Sequence, residues 1–173
     1  MLNLAETTLE SIPDGFLHAL HSLEVLLLNG NRLTTVPAEL RRSPGLQLLN
    51  LNDNPIQRLN ASSFEGVSGL RQLNISAMNR LESIDENTFS GLKSLTSLWC
   101  SFNPSLKRIH SRAFMGIAAD KENLVFSEVH ILLSSSKIRF NGTMGWIFPV
   151  PLSRQRRSIR APQSAALERF GDH

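Results

Sequence analysis

The sequence predicts an α/β-type solenoid: a right-handed coil of about five short turns with a short parallel concave β-sheet, ahead of an irregular C-terminal tail. Three observations carry this. Leu46-Gln-Leu-Leu49-Asn-Leu51-Asn-Asp-Asn54, followed by Pro55 and Ile56, puts apolar residues at relative positions 1, 4, 6 and 11 and asparagine at 9. The frame recurs at Leu23, Leu26, Leu28, Asn31, Leu33; at Leu70, Leu73, Ile75, Asn79, Leu81; and at Leu95, Leu98, Cys100, Asn103, Leu106. The starting leucines at 23, 46, 70 and 95 are separated by 23, 24 and 25 residues, within the roughly 20 to 29 that one short solenoid turn occupies.

In chain order, the first residues already lie inside a turn. Leu2, Leu4, Thr7, Leu9 and Ile12 fall on positions 4, 6, 9, 11 and 14 of the frame that restarts at Leu23, so the start of that turn is missing from the pattern. Positions 4 and 6 share one face of an extended strand and are expected to point inward. After each strand comes a returning arm with its own apolar anchors: Ile12, Val36, Leu59, Ile84 and Ile109, then Leu17, Phe64, Phe89 and Phe114 five residues on. Leu20, Val67, Leu92 and Ile117 are expected to close the turns, and Arg41 occupies the second anchor position of the turn from Leu23. No turn can bury these groups alone, so stability must come from stacking neighbours. The asparagines at the corner, Asn31, Asn54, Asn79 and Asn103, have an amide able to satisfy backbone groups that would otherwise be buried unpaired, with Thr7 as a weaker substitute.

Turns three and four carry one extra residue each near that corner, in Ser76-Ala-Met-Asn79-Arg-Leu81 and Asn103-Pro-Ser-Leu106. Past Ile117 the frame is expected to fail. The chain divides into a solenoid over 1–118, a C-terminal capping segment over 119–148 in which Val129 to Leu133 pairs with Lys137 to Phe140, and a basic, disordered tail over 149–173.

A composition of 41% hydrophobic and 19% charged residues fits a folded chain. The formal charge of +3 is unevenly placed: residues 1–136 hold 11 basic and 13 acidic groups (−2), and residues 137–173 hold 7 and 2 (+5). The basicity belongs to the tail, which argues against nucleic acid as the partner of the repeats and leaves a weak, salt-dependent attraction of the tail for anionic glycans. Cys100 is the single cysteine, so no internal disulfide forms. No basic leader with an apolar core precedes the first turn, so no signal peptide is visible, and no apolar run is long enough for a transmembrane segment.

The unit Leu81-Glu-Ser-Ile84-Asp-Glu-Asn-Thr-Phe89-Ser-Gly-Leu92-Lys-Ser-Leu95 resembles the typical-class repeats of extracellular leucine-rich-repeat proteins, among them cell-adhesion receptors, Toll-type receptors, Slit-like guidance proteins and small proteoglycans. The resemblance implies a ligand-binding horseshoe on a secreted or cell-surface protein. The sequence departs from that pattern in having no leader, no cysteine-rich N-terminal cap and no cysteine cluster after the last repeat, which suggests a fragment, an alternative product or an incomplete gene model.

Strand positions 3, 5, 7 and 8 are expected to face out of the concave sheet. They form columns of Val25, Leu48, Gln72 and Ser97; of Asn3, Leu27, Asn50, Asn74 and Trp99; of Ala5, Asn29, Asn52, Ser76 and Ser101; and of Glu6, Gly30, Asp53, Ala77 and Phe102. From these, Val25, Leu27, Leu48, Asn50, Asn52, Gln72, Trp99 and Phe102 form the candidate surface for a protein ligand or receptor. The plainer alternative is that Trp99 and Phe102 pack under a C-terminal cap. Three N-x-S/T sequons start at Asn60, on the outer arm, at Asn74, on the concave strand, and at Asn141; in an intracellular chain all three are ordinary polar residues. Arg154-Gln-Arg156-Arg157 resembles the recognition site of furin-type convertases, with cleavage after Arg157, although a solvated basic tail reads the same way.

Cys100 sits at an inward leucine position and is expected to act as a small apolar group. His18 and His21 lack a third metal ligand, and no serine, histidine and carboxylate set is gathered by the frame, so neither cofactor nor enzymatic activity is expected. The leading expectation is a non-enzymatic protein-protein interaction module of an extracellular adhesion or receptor-type protein. The alternative is an intracellular scaffold or inhibitor of the same fold.

Overall fold

A computed structural model describes residues 1–117 and, beyond them, three backbone segments at 124–125, 137–140 and 143–146. The short strands β1 Leu2–Asn3, β2 Val25–Leu27, β3 Leu48–Asn50, β5 Gln72–Asn74, β7 Ser97–Trp99 and β9 Leu124–Val125 form one parallel sheet in the order β1-β2-β3-β5-β7-β9. Its register follows the sequence frame: Leu2 aligns with Leu26, Leu26 with Leu49, Leu49 with Leu73, and Leu73 with Leu98. A second parallel sheet, β4 Arg58–Leu59, β6 Ser83–Ile84 and β8 Arg108–Ile109, lines the returning arms. The solenoid expected from the spacing is therefore present, with turns and short strand pairs in its arms and a single 3-10 helix, Ala38–Arg42, among the described residues.

The two sheets close on a continuous apolar column. Leu26, Leu49, Leu73 and Leu98 are fully buried, as are Leu28, Leu51, Ile75 and Cys100 two residues further along each turn. Each such aliphatic side chain contributes about 1.5 to 3 kcal/mol when withdrawn from water. Against them the outer wall stacks Phe64 on Phe89 and Phe89 on Phe114, with ring centroids 5.7 and 5.0 Å apart and planes 17° and 20° from parallel. The wall needs close approach of the arms. At Gly66, with φ +83, a Cβ would lie 2.7 Å from the Arg41 backbone; at Gly116, with φ +94, it would lie 2.8 Å from the Ser90 carbonyl oxygen. A side chain at either position would meet backbone that cannot move aside.

At the corners, Asn31 Nδ2 donates to the carbonyls of Leu4 (2.7 Å) and Leu28 (2.9 Å), while its Oδ1 accepts from Leu9 N (2.8 Å). Asn54 donates to Leu28 O and Leu51 O and accepts from Leu33 N, and Asn103 donates to Ile75 O and accepts from Met78 N. One residue before each corner the backbone turns left-handed, with φ 57 at Glu6, 65 at Gly30, 54 at Asp53, 53 at Ala77 and 54 at Phe102. That conformation aims the N–H of residues 6, 30, 53 and 77 at the carbonyl of the next turn, as in Asp53 N to Ser76 O (3.1 Å) and Ala77 N to Ser101 O (2.8 Å).

Several local expectations need correction. In the third turn the corner is Met78, fully buried, while Asn79 is exposed in the turn that follows. The extra residue lies after the corner, closed by Leu81 N to Met78 O, just as Leu106 N closes onto Asn103 O in the fourth turn. Preserving the backbone path thus outranks placing an amide at the corner. In the turn from Leu23, Leu40 fills the anchor position that the frame assigned to Arg41, because the 3-10 helix rotates the preceding residue inward. Leu20 is 37% exposed where Val67, Leu92 and Ile117 are fully buried, since the N-terminal turn packs against one described neighbour. Past Ile117 the sheet gains β9, with Leu124 aligned to Leu98; the frame missed it because its first position there is Lys121. Lys137–Phe140 does form a hairpin arm, but its partner is Thr143–Trp146, with Phe140 opposite Thr143. The Asn141-Gly142 dipeptide between the two arms is a strong short-hairpin signal. Val129 to Leu133 lies outside the described residues.

Candidate binding surface

Two in-register columns dominate the concave face: Val25, Leu48, Gln72 and Ser97, and beside it Leu27, Asn50, Asn74 and Trp99. Repetition puts the amides there, and the local backbone engages them. Asn3, Asn50 and Asn74 each accept through Oδ1 from the N–H two residues on, that of Ala5, Asn52 and Ser76, at 3.0 Å in every case. This i to i+2 bond bends the chain out of the strand. Asn50 Nδ2 also donates to Asn29 Oδ1 (3.2 Å), and Ser76 Oγ accepts from Ser101 N (3.1 Å). Much of the polar surface is therefore already bonded within the fold.

Leu48, Leu49, Asn50, Gln72, Asn74 and Trp99 line a shallow hollow of about 220 Å³. Of the residues singled out from the sequence, the structure gathers Leu48, Asn50, Gln72 and Trp99 there, together with the sequon residue Asn74. Val25, Leu27 and Asn52 are half-buried on the same face outside the hollow. Trp99 is 36% exposed. Phe102 is 61% exposed, but it stands on the left-handed corner and does not line the hollow. With an apolar floor, an amide rim and no ionisable lining group, the hollow suits a neutral or apolar group of a ligand.

The outer arms carry the charge. Asp85, from the third turn, takes Arg58 of the turn before on one oxygen and Arg108 of the turn after on the other (3.7 Å). Glu86 pairs with Arg112 at 3.0 Å. Gln57, Arg58, Glu82, Ser83, Lys107 and Arg108 border a polar groove of about 390 Å³ along β4, β6 and β8. The frame places these residues in columns of their own, a signal the concave columns overshadow. Its lining carries three basic groups, Arg58, Lys107 and Arg108, against the single carboxylate of Glu82, and Asp85 alongside pairs with both arginines.

Asn60 lies exposed on the outer arm, with its Oδ1 accepting from Ser62 N (3.0 Å) and Ser62 Oγ (2.8 Å). Cys100 is fully buried; burial pushes its thiol up to about 12, against a smaller lowering by the Asn103 side chain, which donates to Sγ at 3.3 Å. His18 and His21 meet edge to face at 5.9 Å, and no cluster able to hold a metal ion occurs among the described residues. Asn141, Arg157 and the basic tail lie outside the described residues. No helix among the described residues is long and apolar enough to cross a membrane.

Comparison with known proteins places this geometry. The family model described as leucine rich repeat matches residues 1–56 and 44–104. Tsukushi of Gallus gallus is 30% identical over 121 residues, covering 70% of this chain and 32% of its own length. Chaoptin of Drosophila melanogaster is 38% identical over 96 residues, covering 55% of this chain and 7% of its own. Both are extracellular proteins built from such repeats, and the chain spans a third or less of either. Among solved structures, the leucine-rich repeat domain of APL1 superposes with a TM-score of 0.54 at 28% identity, covering 63% of this chain and 32% of that one.

Proposed function

The chain belongs to the leucine-rich-repeat family, and from that premise we propose that it is a protein-protein interaction module of an extracellular adhesion or receptor-type protein, binding its ligand on the concave sheet. The observation that carries the proposal is Trp99, an indole 36% exposed at the edge of an uncharged hollow, beside the half-buried Leu48 and the exposed Gln72. Aromatic anchors next to desolvated pockets supply a disproportionate share of protein-protein binding energy. The ligand group that enters is an apolar side chain, its backbone bonded by Gln72 and the surrounding amides. Secreted and cell-surface relatives support an extracellular setting. The basic residues from 149 onward add a weak, salt-sensitive attraction for anionic glycans.

The test is capture of a protein partner from extracellular-matrix material by the full chain. Trp99→Ala is expected to weaken the captured complex by about 30-fold or more, the equivalent of a 2 kcal/mol anchor. Arg58→Ala, on the outer arm, is expected to leave it unchanged. Capture that survives both Trp99→Ala and Phe102→Ala would remove the concave face from consideration.

A further inference from the structure

We infer that Asn74 is an N-glycosylation site whose occupancy closes the concave hollow, so that the same chain presents two different faces. The consequence for binding rests on the concave-sheet proposal above; the modification itself does not.

What the fold does with each amide nitrogen decides where a sugar can be carried. In Asn31, Asn54 and Asn103, Nδ2 is committed to buried backbone carbonyls, and in Asn50 to Asn29 Oδ1, so substitution at those nitrogens would break the fold's own bonds. Asn74 differs. Its Oδ1 accepts from Ser76 N, while its Nδ2 donates no hydrogen bond to a described residue. Glycosylation replaces one Nδ2 hydrogen and leaves Oδ1 in place, so the bend out of the strand survives. In the step, Asn74 Nδ2 bonds to the anomeric carbon of a lipid-linked pyrophosphoryl glycan. The bond from that carbon to the pyrophosphate oxygen breaks, the electron pair leaves with the pyrophosphate, and the amide gives up one proton. Asn74-Ile-Ser76 supplies the triplet that directs such a transfer.

The register then fixes where the sugar emerges. Asn74 lies between Asn50 on β3 and Trp99 on β7, with neighbouring strands about 4.8 Å apart. The first sugar must therefore leave through the hollow those residues line, against the exposed indole. Asn60 provides an internal contrast: it is exposed on the outer arm and lines no part of the hollow.

The experiment uses the full chain carrying Trp146→Phe, which leaves Trp99 as the sole indole. It is made by a secretory route and, separately, in a bacterial host without the transferase. Peptide mass spectrometry reads occupancy at Asn60 and Asn74, and acrylamide quenching reads access to Trp99. The expected result is glycan on Asn74, with Trp99 quenched less in the secreted chain than in the bacterial one. Enzymatic removal of the glycan restores quenching, Asn74→Gln abolishes the difference, and Asn60→Gln leaves it. A secreted chain with Asn74 bare overturns the inference, as does an occupied Asn74 with unchanged quenching. Neither readout needs a partner, so a failed partner search and a failed glycan assignment remain distinguishable.

Discussion

Asn54 Nδ2 lies 2.9 Å from the carbonyl oxygen of Leu28 and 2.9 Å from that of Leu51, so one amide closes its own turn and clamps the turn before it. Its Oδ1 accepts from Leu33 N in that same preceding turn. Asn54→Ala strips partners from buried backbone groups that water cannot reach. The expected cost is about 3 kcal/mol, read as a lower midpoint in urea unfolding of the full chain.

Met78 interrupts this ladder. Placing asparagine at a fully buried methionine position normally leaves an amide unsatisfied, but here the register sets Met78 where Asn54 and Asn103 stand in their own turns, and the fourth turn tolerates asparagine with the same extra residue. Met78→Asn is expected to stay folded, with a midpoint no more than about 1 kcal/mol below the parent, whereas Ile75→Asn on the same turn loses several times that. Equal losses for the two variants would show that the corner is not equivalent from turn to turn.

Phe89 is sandwiched between Phe64 and Phe114 and has no exposed surface. Phe89→Ala opens the middle of the outer wall and is expected to cost about 3 to 5 kcal/mol by thermal or urea unfolding. Phe102→Ala, at a 61% exposed corner, is expected to change stability by less than about 1 kcal/mol.

Burial pushes the Cys100 thiol up to about 12 from 9.0. A thiol-specific reagent at mild pH should therefore label the chain only after denaturation. The linkage has a definite sign. Between about pH 9 and 12 the unfolded thiol has lost its proton and the folded one has kept it, so stability is complete below that window and falls as pH rises through it, by at most about 1.4 kcal/mol per pH unit. Cys100→Ala should flatten that slope in urea titrations.

The bridge from Asp85 to Arg58 and Arg108 joins three successive turns at the surface, where the arginine side chains are 62% and 65% exposed. Exposed pairs of this kind contribute little, so Asp85→Asn is expected to cost no more than about 1 kcal/mol, with the difference shrinking in high salt.

Periodicity alone specified the coil: an apolar residue at the fourth and sixth positions of a repeating turn can be buried only if turns stack in register, and the pairs Leu26 with Leu49 and Leu73 with Leu98 follow from that. It also placed Trp99 and Asn74 on the same concave column. How the exceptions resolve was settled by packing in three dimensions. Backbone continuity put Met78 at the corner and Asn79 outside, the 3-10 helix turned Leu40 inward in place of Arg41, and strand pairing recruited Leu124–Val125 although Lys121 breaks the pattern. The hollow was likewise invisible in the string of residues. Its members come from strands far apart in sequence, and whether an amide is open to a ligand depends on which backbone N–H or neighbouring amide has already engaged it. Periodicity records which side chains must leave water, whereas hydrogen-bond partners are chosen by distances that exist only once the turns have stacked.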